Sequence, residues 1–348
     1  MKSPMYSSCD SAAVVRIPFG EVQGVSTGCA QDQQAMTGVT VLLFDRPSPA
    51  ALDISGGGAA SRESFLLSPL SHGKPIDAIV FSGGSSYSLE AATGVMEWLA
   101  ARGRGLAVGE QLVPLVPQSC IFDLGIGSAL VKPDKAMAAR ACEAALQNTP
   151  RSGSFGAGAG ATVGKVFGMA RSQKGGQGFA AFQVGHLVVA SCAVVNAFGD
   201  VFDPVTGEEL AGALSADRSS FEPTEAALWR MQHLIDSGGS VGLGPFIRAG
   251  GNTTLVAVMS NAALTRCELL RVARMTSSSL ARVINPVGTT GDGDSVYAVS
   301  IGDVPSDVNL VGTLACRAVG EAIADAVVSA RMANEAFLAL LSQVAVHY

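Results

Sequence analysis

Along most of the chain, short runs of apolar and β-branched residues alternate with longer stretches of helical period, as in a layered α/β protein. Strands are predicted at residues 13–25, 38–44, 76–82, 119–124, 162–170, 254–260 and 295–302, and in the long apolar segment 179–198. Gly185-His186 interrupts that segment, so it reads as a hairpin or two strands. Helical periodicity marks 86–103, 133–148, 264–284 and 309–342. In the third of these, Leu264, Leu269, Val272, Met275 and Leu280 recur at helical spacing. The fourth is apolar on more than one face, as expected of a helix held between layers or subunits. Two segments read as loops, 147–161 and 236–251, the first as the more flexible. No repeat or low-complexity linker divides the chain, so a single domain over 1–348 is expected, a mixed sheet with helical layers.

Composition sharpens this picture. Of the 348 residues 48% are hydrophobic, 15% charged and 6% aromatic, so the core must be built from Ala, Val, Leu and Gly. A large core with few surface charges points to burial between subunits and hence a homo-oligomer. The net charge is −6 with no block of Lys or Arg, which argues against nucleic acid as a partner. The longest apolar runs are shorter than a bilayer span, so no membrane helix is expected. The first twenty residues lack the apolar core of a secretory signal, and the expected location is cytoplasmic. Seven scattered cysteines form no CxxC pair and no Cys/His cluster, so free thiols are expected, with no metal and no other cofactor.

Several motifs carry candidate chemistry, and each has a plain structural alternative. The glycine-rich stretch 156–165 fails as a phosphate loop, because Ala159 stands where a glycine is needed and Val166 follows the lysine. "SGGSSYSLE" (82–90) follows a strand like a nucleophile elbow, but Tyr87 replaces the last glycine of that pattern. Gly83 and Gly84 there permit tight strand-to-helix packing or line a pocket with N–H groups. None of the four histidines has an evident acidic partner. Lys165 enters an apolar stretch, either snorkelling outward or held as a desolvated amine. Asn196 interrupts an apolar run, and a buried amide there must find partners or could donate to an oxyanion. Asp292 and Asp294 lie two apart, a carboxylate pair or an ordinary Asp-Gly turn.

"GGNTTLVAVMS" (250–260) places Asn252 and Thr253 where a flexible approach meets a rigid strand. A threonine hydroxyl is a poor nucleophile unless a base takes its proton, and one at a chain terminus can use its own α-amine. That amine has a pKa of roughly 7.7–8.0. An internal threonine reaches this state by attacking the preceding carbonyl in an N-to-O acyl shift, after which water releases the amine. Gly-Gly-Asn-Thr is also simply a good turn into a strand.

Seven ordered motifs carry a family resemblance: "GGSSYSLEAATGV", "IFDL", "PDKA", "GAGAGATVGKV", "VVNAFGDVFD", "GNTT" and "GDGDSVYAV". With them the chain resembles the self-cleaving amidohydrolases that include endo-type 6-aminohexanoate-oligomer (nylon oligomer) hydrolases and β-peptidyl or D-aminopeptidases. The resemblance implies a four-layer αββα sandwich, like that of N-terminal-nucleophile hydrolases but with its own connectivity. It implies cleavage between Asn252 and Thr253 into an α chain, 1–252, and a β chain, 253–348. Thr253 would be the nucleophile, Asn196 an oxyanion donor, Lys165 a wall of the site, and Asp292 and Asp294 the acids that orient the new terminus. Tetramers are common among relatives, and small peptides or oligoamides are the implied substrates. Two departures stand out. Phe122 replaces a tyrosine that helps at the oxyanion, and it and Tyr87 are the expected substrate contacts. Cys120 replaces a glutamate that holds the substrate's amine in the aminopeptidase branch, which leans this chain toward the endo-type branch. An acyltransferase of the ornithine-acetyltransferase type and a non-catalytic homologue are the rival readings.

Overall fold

The computed structural model describes residues 13–238 and 251–341. Two sheets lie face to face. The larger has six strands in the order Val15–Ile17, Gly176–Val184, Leu187–Asn196, Thr253–Ala262, Ser295–Val304 and Ala50–Ile54. The smaller has five, in the order Val25–Asp32, Thr37–Ser48, Ile76–Ser82, Gln118–Cys120 and Ala60–Arg62. Between them Leu42, Phe44, Ile79 and Phe81 meet Cys192, Val194, Leu255, Ala257 and Tyr297, all buried. Tyr297 Oη is 2.6 Å from Ser119 Oγ, so one sheet is hydrogen-bonded to the other inside the apolar layer. A buried phenol needs such a partner, and the bond contributes about 1 kcal/mol net.

Helices cover both outer faces. α1 (Ala91–Ala100) and α2 (Lys135–Ala145) pack Val95, Leu99, Met137 and Ala141 on Val39, Val41 and Val80 of the smaller sheet. Asp134 caps α2 by accepting from Met137 N–H at 2.7 Å. α3 (Thr224–Asp236) lies to one side and buries only Thr224 and Ala227. α4 (Arg266–Leu280) and α5 (Val308–Ser329) cover the larger sheet with Leu269, Val272, Leu314, Val319 and Ile323. Thr265 and Glu268 close a capping box at the start of α4. A last helix, α6 (Asn334–Leu341), follows. The layering is therefore αββα, the expected sandwich. Among the described residues, no helix is long and apolar enough to cross a membrane.

Several elements differ from the periodicity. The strand expected over 13–25 splits at Pro18 and Gly24 into Val15–Ile17, a 3-10 turn and the start of Val25–Asp32. The strand expected over 162–170 is only Thr162–Val163, because Gly164 and Gly168 turn the backbone to positive φ. The strand expected over 119–124 stops at Cys120. The helix expected over 309–342 is two, α5 and α6, since Phe337 turns into a separate apolar cluster and Arg218 holds Asn334. α3 was not predicted: its inward stripe is short, Ala227, Leu228 and Met231 on Val166 and Phe198, while Trp229, Leu234 and Ile235 are exposed and blur the period. The stretch 156–161, expected to be flexible, is buried between the sheets. Gly160 allows this: a Cβ there would lie 2.1 Å from Met36 O. The loop expected at 236–251 lies mostly outside the described residues.

Candidate active site

Thr253 opens the fourth strand of the larger sheet, and strand register decides what surrounds it. It pairs directly with Asn196 at the end of the antiparallel neighbour. On the other side Asn252 bridges to Asp292, just before the parallel strand that starts at Ser295. Lys165 arrives from the turn at Gly164, fixed by Lys165 N–H donating to Phe198 O at 3.1 Å. Thr253, Asn196, Lys165, Asp292 and Asp294 are all buried. One corner of the molecule thus gathers five of the residues expected from the sequence.

The hydrogen bonds in this corner converge on the peptide before Thr253. Thr253 Oγ1 donates to Asn252 O, and Gly293 N–H donates to the same oxygen at 2.9 Å. Lys165 Nζ donates to Asn196 Oδ1 at 2.8 Å, Asn196 O at 2.9 Å and Gly251 O at 3.1 Å. Asn196 Nδ2 donates to Phe122 O at 3.1 Å and Gly251 O at 3.2 Å. Asp294 Oδ1 accepts from Thr254 N–H at 2.5 Å and its Oδ2 from Gly288 N–H at 2.8 Å. Asp292 Oδ2 accepts from Thr289 N–H and Oγ1 at 2.9 and 2.6 Å. Gly293 must lack a side chain, because a Cβ would stand 2.7 Å from Thr253 Oγ1.

Electrostatics follow from burial. Loss of water pushes the Lys165 amine down to about 7, against the pull of Asp292, Asp294 and Asp123. Burial raises both Asp292 and Asp294, and the negative charge of Asp292 raises Asp294 further. A neutral amine and a protonated carboxyl are therefore accessible near neutral pH, as acid–base chemistry requires.

Phe122, Lys165 and Gly251 line a closed cavity with Asp123, Ile126 and Met169, which in the uncut chain has no room for a water molecule. Tyr87 stands apart from that lining: it is exposed, with Lys132 Nζ 4.9 Å over its ring. Gly83 and Gly84 serve packing, since their N–H groups go to Gly38 O and Asp123 Oδ1. Three residues in or beside this corner carried no assignment from the sequence. Gly293 sits between the two aspartates of "GDGDS", and only the fold shows its N–H aimed at Asn252 O. Asp123 belongs to the "IFDL" motif but was given no role; burial pushes its carboxyl up to about 6. Lys174, a second buried lysine, lies behind it.

Solved structures share this architecture. The chain superposes with a TM-score of 0.65 on the L-aminopeptidase D-Ala-esterase/amidase of Ochrobactrum anthropi, described as a variant of the Ntn hydrolase fold, at 16% identity over 93% of each chain. On a β-aminopeptidase from Burkholderia sp. the TM-score is 0.64, at 19% identity over 97% of this chain and 98% of that one. The fold is thus an N-terminal-nucleophile hydrolase variant. The family model for peptidase family S58 matches residues 19–336, and the chain belongs to that family. An uncharacterized aminopeptidase of Mycobacterium tuberculosis is 35% identical over 306 residues, 85% of each chain. A 6-aminohexanoate-oligomer endohydrolase of Kocuria sp. is 30% identical over 285 residues, 81% of this chain and 74% of that one. The protein is a hydrolase of amide or peptide bonds.

Proposed function

We propose that the chain cuts itself between Asn252 and Thr253 and then hydrolyses small peptides or oligoamides with Thr253 as nucleophile. The observation that carries this reading is the buried Thr253 hydroxyl on the carbonyl of its own preceding peptide, whose oxygen also takes the Gly293 N–H. Thr253 Oγ attacks the Asn252 carbonyl carbon, and the negative charge on the oxygen is held by Gly293 N–H. Collapse breaks the Asn252–Thr253 C–N bond, leaves an ester from Asn252 to Thr253 Oγ, and puts the hydroxyl proton on the freed Thr253 amine. Water then hydrolyses the ester, giving an Asn252 carboxylate and a new N-terminus.

Turnover reuses the corner. The freed α-amine takes the hydroxyl proton as Thr253 attacks a substrate amide. The amine product leaves, and water releases the acyl group. Asn196 Nδ2 and Lys165 Nζ, which hold Gly251 O in the uncut chain, become available to substrate once that segment departs. Asp294, anchored to Thr254 N–H, keeps the strand end in place. Phe122 lines the cavity without a hydroxyl, so Asn196 and backbone N–H groups carry the oxyanion. Relatives named aminopeptidase and 6-aminohexanoate-oligomer endohydrolase support the substrate class. Cys120 supplies no carboxylate for a substrate ammonium, which favours endo-type cleavage. The sparse charge and the apolar α5 fit a cytoplasmic homo-oligomer, a tetramer in this reading.

N-terminal sequencing tests it: wild type yields a second chain beginning Thr-Thr-Leu-Val. Thr253→Ala leaves one intact chain and lowers amide hydrolysis by about a thousandfold or more. An uncut wild-type chain that hydrolyses amides overturns the mechanism.

A further inference from the structure

A cluster beside the site has no part in the proposed chemistry. α6 is exposed on most sides and buries one large side chain, Phe337, against Met36 and Ile126, with Met169, Leu340 and Leu341 packed around them. Ile126 and Met169 belong to two environments at once, since they also line the cavity shared by Phe122, Lys165 and Gly251. Whatever moves Phe337 therefore bears directly on the cavity wall.

Arg218 and Leu340 tie α6 to the segments that build this wall. Arg218 Nε donates to Asn334 Oδ1 at 3.0 Å, and its guanidinium lies 5.1 Å from the Phe337 ring centre. The same guanidinium donates to Ala170 O at 2.7 Å and Ser172 O at 3.0 Å, next to Met169. Gly127 N–H donates to Leu340 O at 3.1 Å, next to Ile126. Methionine changes shape cheaply, so a wall containing Met36 and Met169 adjusts to what packs behind it. Phe337 is also the first residue past the segment that the family model matches.

We propose that α6 sets the size of the acyl group the cleft accepts, with Phe337 as a positioning residue acting through Ile126 and Met169. Apolar acyl groups are the class it sorts, because the part of the wall it supports, Ile126 and Met169, is apolar. The proposal rests on the cleft proposed above, and the two fail differently. If wild type hydrolyses no amide, the cleft reading fails; the experiment below concerns an enzyme that does.

The test compares alanyl with phenylalanyl p-nitroanilides, each free and N-acetylated, on wild type, Phe337→Ala, Met169→Ala and the double variant. Appearance of the second N-terminus serves as the check that each variant folds. Phe337→Ala is expected to raise the phenylalanyl-to-alanyl ratio of kcat/KM about threefold or more, below the roughly tenfold or more that a methylene of direct pocket contact is worth, because Phe337 acts through its neighbours. The double variant should fall short of the product of the single effects, because Phe337 acts through Met169. A processed Phe337→Ala enzyme with an unchanged ratio overturns the proposal, as does a fully multiplicative double variant. If Phe337→Ala does not process, Phe337→Leu decides by the same criteria.

Discussion

Two buried lysines in this protein share their burial and differ in the charges near them and in what they hold. Lys165 and Lys174 are both fully enclosed, and burial pushes each down to about 7. Each donates three hydrogen bonds to oxygen. Lys174 gives its three to Gly158 O, Ala161 O and Gly175 O, the backbone of the buried connector and its neighbour strand. Lys165 gives one to Gly251 O, on the chain just before Thr253, and two to Asn196. The first set of acceptors is fixed by the fold. The second includes a segment that self-cleavage would release. A desolvated lysine is thus structural or functional according to whether its partners stay in place.

The largest test of that contrast is to remove each amine. Lys165→Met should slow appearance of the Thr253 terminus by about a hundredfold, the scale of misplacing a reacting group by about 1 Å, because Lys165 holds Gly251 O and Asn196 beside the peptide to be cut. Lys174→Met should still process, but lose about 1–3 kcal/mol of stability in urea titration, because three buried carbonyls lose their donor. Equal processing by both variants would erase the distinction.

Gly293→Ala asks whether the corner tolerates a methyl group against Thr253 Oγ1. The added Cβ meets that oxygen at 2.7 Å, so the hydroxyl or the Gly293 N–H must move. Processing should slow by about tenfold or more, given that one oxyanion donor is worth about a hundredfold or more. Pulse-labelled chains resolved on denaturing gels would show it, and normal kinetics would remove Gly293 from the mechanism.

The last test is in pH. The Lys165 amine, near 7 when folded, has an ordinary value near 10.4 when unfolded. Between those values the unfolded chain binds the extra proton, so this group makes stability rise with pH. On a Thr253→Ala background, the stability of Lys165-bearing protein relative to Lys165→Met should therefore grow from pH 7 to pH 9. The gain is at most about 1.4 kcal/mol per pH unit. A difference that is flat with pH would mean Lys165 keeps its charge when folded.

Much of the layering was legible in the pattern: the hairpin at Gly185-His186, the central strands of both sheets and three of the helices lie where periodicity puts them, whereas the edge strands Val25–Asp32, Ala50–Ile54 and Ala60–Arg62 were not expected. Where it failed, the cause was tertiary. α3 has little buried face to betray it, and α6 separates from α5 because Phe337 finds its own cluster. The glycine-rich connector looks flexible as a string of residues but is clamped between sheets that admit no side chain at Gly160. For the site, residue types and motif order marked Lys165, Asn196, Thr253 and the Asp292/Asp294 pair.

By itself the sequence determined the alternating elements, the sparse charge and the Asn252-Thr253 junction at the mouth of a strand, because these depend on local period and residue chemistry. Only the tertiary structure decided that Asn196 faces Thr253 across a strand pair, that Gly293 N–H reaches Asn252 O, and that Lys165 rather than Lys174 holds Gly251 O. Those outcomes depend on strand register and the packing of distant segments, which local pattern does not encode.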